Sequence, residues 1–373
     1  MKLSVIILNY NVRYFLEQCI ISVQRSIAGI DAEIIIIDNN SPDDSCEMMK
    51  KNFPEITLLE NKENVGFSKA NNQAVKIAKG EYVCILNPDT AVAEDTFIKA
   101  LHYAENLENL GALGVYLMDG TGTFLPESKR NLPTPKASLL KLFGSGKSYY
   151  ANDITKNENG EVAVLVGAFM LLKRAVYNEV NGFDEDYFMY GEDIDFSYKI
   201  TKAGYKNHYL GSVPVLHYKG ESTSKDAEYL DRFYGAMQIF YKKHFKTNFL
   251  FNTMVSIGLF AAKNLRRSPQ VKSSTISETD RTTYVLTENL ILLKNLSETI
   301  KGKIKTTSKT IFSDEIITNS HIVFDVDYMP YSQIFMVMKS LSNKGNTFRI
   351  SPPRCNFILG SDQSDQKGSV LVF

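Results

Sequence analysis

The string Tyr190-Gly191-Glu192-Asp193-Ile194-Asp195-Phe196 places three carboxylates within four residues. Acidic side chains are favoured at a helix start by the helix dipole, so a capping role alone accounts for the composition. The aromatic flank of Tyr187, Phe188, Tyr190 and Phe196 adds a partly desolvated wall, which raises the proton affinity of a carboxylate toward that of a general base. Any of the three, Glu192, Asp193 or Asp195, could take that role. Upstream, Asn87-Pro88-Asp89-Thr90 follows an apolar run that ends at Leu86. Pro88 stiffens the turn and holds the Asp89 carboxylate out from the end of the run. A magnesium or manganese ion between phosphate oxygens needs only one or two protein oxygens, so one aspartate suffices; a cap for a helix starting near Ala93 is the alternative. Asn9-Tyr10-Asn11 and Asp38-Asn39-Asn40 close two further apolar runs. Their amides suit hydrogen bonding to a base edge, and Asp38 can accept from a base N–H or a ribose hydroxyl, against the plainer alternative of turns and caps. His217 ends another run; a lone histidine is more often structural than a ligand.

The elements that must position these residues follow from periodicity. Apolar runs at 3–8, 33–37, 56–59 and 82–86 alternate with helical patterns at 14–26, 45–52 and 68–77, the signature of an α/β fold with a mainly parallel sheet. The carboxyl ends of parallel strands share one edge, so the polar clusters after each run, including 61–66, converge on a single crevice. The Gly-, Pro- and Ser-rich stretch 119–160 reads as a long, partly mobile loop over that crevice. Strands are expected again at 162–172 and 213–216, with helices at 174–180 and 193–203. A helical pattern then runs to Phe245 and is followed by the apolar stretch 249–262, flanked by Lys242, Lys243, Lys246, Lys263, Arg266 and Arg267. That stretch is shorter than the ~20 residues a membrane span needs, which leaves an interfacial helix on a membrane surface or a packed core or dimer interface. The expected division is a domain at 1–225, a helical segment at 226–267, a polar linker with an amphipathic helix at 268–310, and a small α/β unit at 311–373 to which no chemistry can be given.

Lysine plus arginine balances aspartate plus glutamate at 42 each, which argues against a nucleic-acid partner. The four cysteines lack paired spacing, so neither a disulfide framework nor a zinc site is expected, and a reducing compartment is the default. The apolar start is too short for a signal peptide. No G-x-G-x-x-G or G-x-x-x-x-G-K-[ST] loop follows the first run, which removes the main support for dinucleotide or P-loop phosphate cradles.

Taken with their order and spacing, the strings Val5-Ile6-Ile7-Leu8-Asn9-Tyr10-Asn11, Ile37-Asp38-Asn39-Asn40-Ser41, Glu63-Asn64-Val65-Gly66-Phe67-Ser68-Lys69-Ala70-Asn71-Asn72, Leu86-Asn87-Pro88-Asp89-Thr90, Gly182-Phe183-Asp184-Glu185, Gly191-Glu192-Asp193-Ile194-Asp195 and His217 resemble the inverting glycosyltransferase family 2. The resemblance covers roughly residues 1–225, points to the rhamnosyltransferase-like branch, and implies the nucleotide-diphospho-sugar-binding GT-A fold. It implies that Asn9, Asn11 and Asp38 hold the nucleotide, with Asn64, Gly66 and Asn71 lining the same pocket and Tyr10, Asn40, Phe67, Asn87 and Pro88 beside them. It also makes Asp89 the last acid of a D-x-D metal motif, joined at the metal by His217, and Asp193, in its pair with Glu192, the catalytic base. Asn87 stands where the fuller motif has an aspartate, which favours a divalent ion that arrives with the nucleotide.

The expected activity is transfer of a sugar, rhamnose among the candidates, from a UDP- or dTDP-sugar to a glycan or lipid-linked acceptor in cell-surface polysaccharide synthesis. The expected setting is the cytoplasm, at the inner membrane surface, with a membrane contact and a homo-oligomer as further options. A non-catalytic nucleotide-sugar-binding protein and a sugar nucleotidyltransferase are the alternatives.

Overall fold

The computed structural model describes residues 1–134, 149–221, 227–245, 281–314, 316–363 and 366–373. The chain opens with β1 (Leu3–Asn9), α1 (Arg13–Ser26), β2 (Ala32–Asp38), α2 (Ser45–Asn52), β3 (Thr57–Glu60), α3 (Phe67–Ile77) and β4 (Tyr82–Leu86). It continues with β5 (Thr90–Val92), α4 (Thr96–Glu105), β6 (Leu110–Met118), β7 (Asn159–Glu161), β8 (Phe169–Lys173), α5 (Arg174–Glu179), α6 (Glu192–Lys202), β9 (Lys206–His217) and α7 (Ala227–His244). Nine strands form one sheet in the order β3-β2-β1-β4-β8-β6-β9-β5, with β7 also on β9. β1 to β4 run parallel, β8 is antiparallel to both its neighbours, and β6 and β9 are parallel to each other.

Strand periodicity explains how this sheet is covered on both faces. Ile6, Ile35, Ile37, Val83 and Ile85 pack with Ala70, Ala74 and Val75 of α3, whereas Val5, Ile7, Ile34 and Ile36 pack with Leu16, Cys19, Ile20 and Val23 of α1 and Met48 and Met49 of α2. Successive residues point to opposite faces, so an unbroken β-branched run fits a sheet buried on both sides. Each such side chain contributes roughly 1.5–3 kcal/mol of burial.

Several elements differ from the expectation. β6 lies buried in the middle of the sheet where no strand was expected, because Gly111 and Gly114 dilute its apolar pattern. Gly114 is small for a reason: a Cβ there would sit 2.6 Å from Cδ2 of Leu165. Of 162–172, only the end forms a strand, β8, whereas β9 starts seven residues before 213. No helix starts at Ala93; the chain enters β5 directly after Asp89, so Asp89 caps nothing. Within 119–160, Ser128, Lys129 and Arg130 are buried and Arg130 is bridged to Val164 and Tyr150, whereas most of 152–159 is exposed.

The second unit comprises β10 (Thr282–Leu286), α8 (Leu290–Thr299), β11 (Lys303–Thr306), α9 (Ile311–Asp314), β12 (His321–Asp325), α10 (Tyr331–Leu341), β13 (Thr347–Ser351), β14 (Phe357–Gly360) and β15 (Ser369–Val372). Its sheet runs β11-β10-β12-β13-β14-β15, parallel through β13 and antiparallel beyond. Two of its strands therefore fall within the polar stretch that reads as a linker.

This unit docks through α10, whose Tyr331, Phe335 and Met338 share a core with Tyr116, Met118, Phe15 and Tyr218 of the first domain. Gly120 and Gly122 make the approach possible: a Cβ on Gly120 would sit 2.7 Å from the carbonyl oxygen of Ser361, and one on Gly122 would strike the Met338 carbonyl. Tyr14 meets Phe357 edge-on at 4.9 Å, and Arg25 pairs with Asp327 at 3.3 Å. Among the described residues no helix is long and apolar enough to cross a membrane, and the apolar stretch 249–262 lies outside them.

The start of α10 ties the two domains together. Pro330 at its N-cap has no acceptor side chain, so Glu94 of the first domain accepts from the backbone N–H of Tyr331 at 2.9 Å and of Ser332 at 3.0 Å. Glu94→Ala is expected to lower unfolding free energy by ~1–2 kcal/mol, the usual cost of a lost cap. Urea unfolding checks this: the midpoint should fall at constant m-value, and an unmoved midpoint would show the cap to be inert.

Candidate active site

The parallel register of β1 and β2 sets Asn9 directly beside Asp38 at the strand ends. The Asn9 amide donates to Asp38 Oδ1 at 2.7 Å and to Ser41 Oγ at 3.0 Å. Ser41 returns its backbone N–H to Asp38 Oδ2 at 2.8 Å. A second amide relay lies alongside: Asn61 donates to Asn39 Oδ1 at 2.9 Å, Asn39 donates to Asn64 Oδ1 at 3.1 Å, and Asn64 Oδ1 also accepts from the Gly66 N–H at 3.0 Å. Gly66, at φ +85°, leaves no room for a Cβ, which would sit 2.6 Å from the Phe188 carbonyl oxygen; the Phe67 N–H donates to that oxygen at 2.7 Å. The segment before α6 is thereby fastened to the start of α3.

These elements enclose a cavity of about 310 Å³ at the carboxyl edge of the sheet. Its lining includes Tyr10, Asn64, Phe67, Asn87, Pro88 and Asp89, then Glu192 and Asp193, with His217 from the end of β9 and Lys219 just beyond it. Asp89 Oδ1 lies 3.3 Å from Nε2 of His217, and the Asn87 amide lies 3.4 Å from the same nitrogen. Also at the cavity, Asp193 Oδ2 accepts from the Arg130 guanidinium at 2.6 Å and from the Gly167 N–H at 3.3 Å. Arg130 also donates to the Leu165 carbonyl oxygen at 2.6 Å, which fixes its head group. The third acid, Asp195, is turned away into a structural role, meeting His244 of α7 at 2.6 Å and the Tyr187 hydroxyl at 3.3 Å.

Burial and charge separate the acids. Glu192 is buried beside the Asp193 charge, and both effects raise its carboxyl from the ordinary 4.5 to about 8. Burial also presses upward on Asp89, but the neighbouring His217, with hydrogen bonds from His217 and the backbone, outweighs it and leaves Asp89 below its usual range. Glu127 behaves likewise: burial raises its carboxyl and its ion pair with Lys219 lowers it further, for a net fall. Near neutral pH the cavity therefore presents an ionised Asp89, a Glu192 that keeps its proton, and the Arg130 guanidinium.

Of the residues singled out from sequence, Tyr10, Asn64, Phe67, Asn87, Pro88, Asp89, Glu192, Asp193 and His217 meet at this cavity. Asn9 and Asp38 are buried and do not line it; the Asn9 amide donates to Asp38, and the Asn9 Oδ1 has no partner among the described residues. Asn11 and Asn40 occupy left-handed turn positions at φ +58° and +62°, and Gly66 shapes the approach of Phe188. Asn71 is buried within α3 and donates to the Phe67 carbonyl oxygen, so it lines the helix core and not the cavity. Arg130 and Lys219 escaped the sequence reading. Arg130 lies in a stretch that reads as loop, and only the placement of Lys219 two residues beyond His217 hinted at a role.

A sequence model described as Glycosyl transferase family 2 matches residues 4–180. The N-acetylglucosaminyl-diphospho-decaprenol L-rhamnosyltransferase of Mycobacterium tuberculosis is 27% identical over 229 residues, covering 57% of this chain and 73% of that protein. The rhamnosyltransferase WbbL of Escherichia coli is 28% identical over 161 residues, covering 41% of this chain and 61% of that protein. Among solved structures, the mannosyltransferase PcManGT from Pyrobaculum calidifontis, in complex with GDP-Man and Mn2+, aligns with a TM-score of 0.48 at 20% identity, covering 70% of this chain and 73% of that one. Residues 4–180 thus match the glycosyltransferase family 2 pattern and the chain is a glycosyltransferase, with rhamnosyltransferases among its relatives.

Glu192 gives this site a signature in stability. Its proton is held more tightly folded than unfolded, so the stability it contributes is fully present below about pH 4.5 and is lost as pH rises toward about 8. Glu192→Gln removes the titration. Thermal midpoints across that range should therefore converge or cross, the native protein losing ground to the variant as pH rises, whereas parallel profiles would show that Glu192 titrates normally.

Proposed function

We propose that the cavity binds a nucleoside-diphosphate sugar and that Asp193 is the general base for a single inverting displacement onto an acceptor hydroxyl. One observation carries this reading: Asp193 and the Asp89–His217 pair, far apart in sequence, line the same cavity of about 310 Å³. Asp193 removes the hydroxyl proton as the acceptor oxygen bonds to the anomeric carbon. The bond from that carbon to the diphosphate oxygen breaks, and its electron pair leaves with the nucleoside diphosphate from the opposite face. No covalent enzyme intermediate is required.

The environment of each group supports its part. Arg130 and the Gly167 N–H both hold Oδ2 of Asp193, so the carboxylate is oriented before substrate arrives. Burial holds the proton on Glu192, so that carboxyl sets no second negative charge beside Asp193. Lys219 stands where charge grows on the departing diphosphate.

The donor set also suits a divalent ion. Asp89 and His217 would hold magnesium or manganese, with the Asn87 amide adjacent, and such an ion would offset charge on the diphosphate. Among the described residues no cluster of three or more ligating side chains exists, which fits an ion delivered with the nucleotide rather than a resident one.

The relatives named as rhamnosyltransferases make rhamnose the first sugar to test, from dTDP or UDP, and a lipid-linked glycan the first acceptor. The setting we propose is the cytoplasmic face of the inner membrane, supported by the basic residues around the apolar stretch 249–262.

Asp193→Asn should reduce transfer at least ~100-fold, the scale of a lost general base, while the melting-temperature rise produced by the donor persists. Full transfer by that variant would reject the base assignment. Asp89→Asn should remove the extra stabilisation that manganese gives in the presence of UDP or dTDP; an undiminished manganese effect would place the ion elsewhere.

A further inference from the structure

After β9 the chain does not turn away from the cavity. His217 and Lys219 line it, and the five-residue segment closes at Glu221, whose backbone N–H bonds back to the Asp89 carboxylate. This segment is bent in an unusual way, with Lys219 at φ +69° and Gly220 at φ +84°. A lysine in the left-handed region costs of order 1 kcal/mol, so the bend persists only if its surroundings hold it.

Those surroundings come from two domains. On the first-domain side, the Tyr218 N–H donates to the Asp89 carbonyl oxygen at 3.0 Å, the Tyr218 hydroxyl donates to Gln18 at 3.1 Å, and its ring meets Phe15 edge-on at 5.0 Å. On the other side stands the second domain. The Gly368 N–H, just before β15, donates to Glu221 Oε1 at 2.6 Å, and Glu221 is only 4% exposed. Gly368 is wedged in place: an added Cβ would sit 2.7 Å from the Gly360 carbonyl oxygen and 2.9 Å from both Glu221 Oε1 and the Phe15 ring. Tyr331, the first residue of α10, is buried in the core that also holds Tyr218.

We propose that the second domain is a working part of the donor site: through Gly368 and Glu221 it holds the segment that presents His217 and Lys219 to the diphosphate. Glu221 and Gly368 are positioning residues, since neither lines the cavity. The proposal rests on the donor-site reading above. It assigns a role to the unit whose own residues carry no recognisable chemistry, and it predicts a selective defect: the diphosphate loses its grip while the nucleoside, which does not reach Lys219, keeps its own.

The test uses the full chain with Gly368→Ala, Glu221→Ala and Glu221→Gln, titrated calorimetrically with UDP and uridine and with dTDP and thymidine, and melted in parallel. Gly368→Ala and Glu221→Ala should weaken the preferred diphosphate about fivefold or more, the scale of one lost hydrogen bond, with the matching nucleoside unaffected. Glu221→Gln keeps a carbonyl oxygen for the Gly368 N–H and should bind close to the native protein. Unchanged diphosphate affinity in the alanine variants overturns the proposal. So does an equal loss for nucleoside and diphosphate, or a loss in Glu221→Gln as large as in Glu221→Ala. If the unsubstituted protein binds neither diphosphate, the donor-site reading itself fails, and the nucleoside and melting data tell that outcome apart.

Discussion

Three residues, Asn87, Pro88 and Asp89, must carry the chain from β4 in the middle of the large sheet to β5 at its edge. Four inter-strand steps separate those strands, ~19 Å in a flat sheet, whereas the link from Leu86 to Thr90 can reach only ~14 Å. The sheet therefore has to curl. The register shifts between β6 and β9, at Leu110/Leu113 and at Val115/Tyr116, supply the local bend. The curl brings the end of β9 over the end of β4, and the link is stitched down where it crosses: the Asn87 N–H donates to the Ala168 carbonyl oxygen, and the Asp89 carbonyl oxygen accepts from Tyr218. The approach of His217 to Asp89 is a consequence of this closure.

The same geometry explains which parts of the molecule could be read in advance. The Ile- and Val-rich strands β1, β2 and β4 announced themselves because residues buried on both faces are apolar without interruption. β6 did not, since its glycines answer to packing against distant side chains such as Leu165. β11 is four residues long with its side chains mostly in solvent, so its Lys-Ile-Lys-Thr pattern carries no burial signal. Within the site, Asp89, Asp193 and His217 were legible because each stands at the end of an element. Arg130 was not: its position depends on bridges to Val164 and Tyr150, contacts with no local trace in the chain. Asn9, Asp38 and Asn71 stood out as polar residues at strand ends and in a helix; the Asn9 and Asn71 amide nitrogens donate to Asp38 and to the Phe67 carbonyl oxygen, which the sequence alone does not show.

The charge arrangement has its own logic. Each acid or base at the cavity has a partner on a different element: Asp89 with His217, Asp193 with Arg130, Lys219 with Glu127. Buried charges without partners would cost several kcal/mol each, so these pairings let a water-poor cleft exist before any ligand enters it. Glu192 is the exception, and it meets the same constraint by giving up its charge.

Gly120 and Gly122 meet the second domain backbone against backbone, with no side chain between. Surfaces joined in this way cannot drift apart by small substitutions on either side, because the first methyl group added already collides. Exchange of the C-terminal unit between related chains is thus constrained at the level of heredity: a recombinant would remain joined only where the incoming unit offers equally bare backbone at the seam. The two halves are therefore expected to descend as one piece.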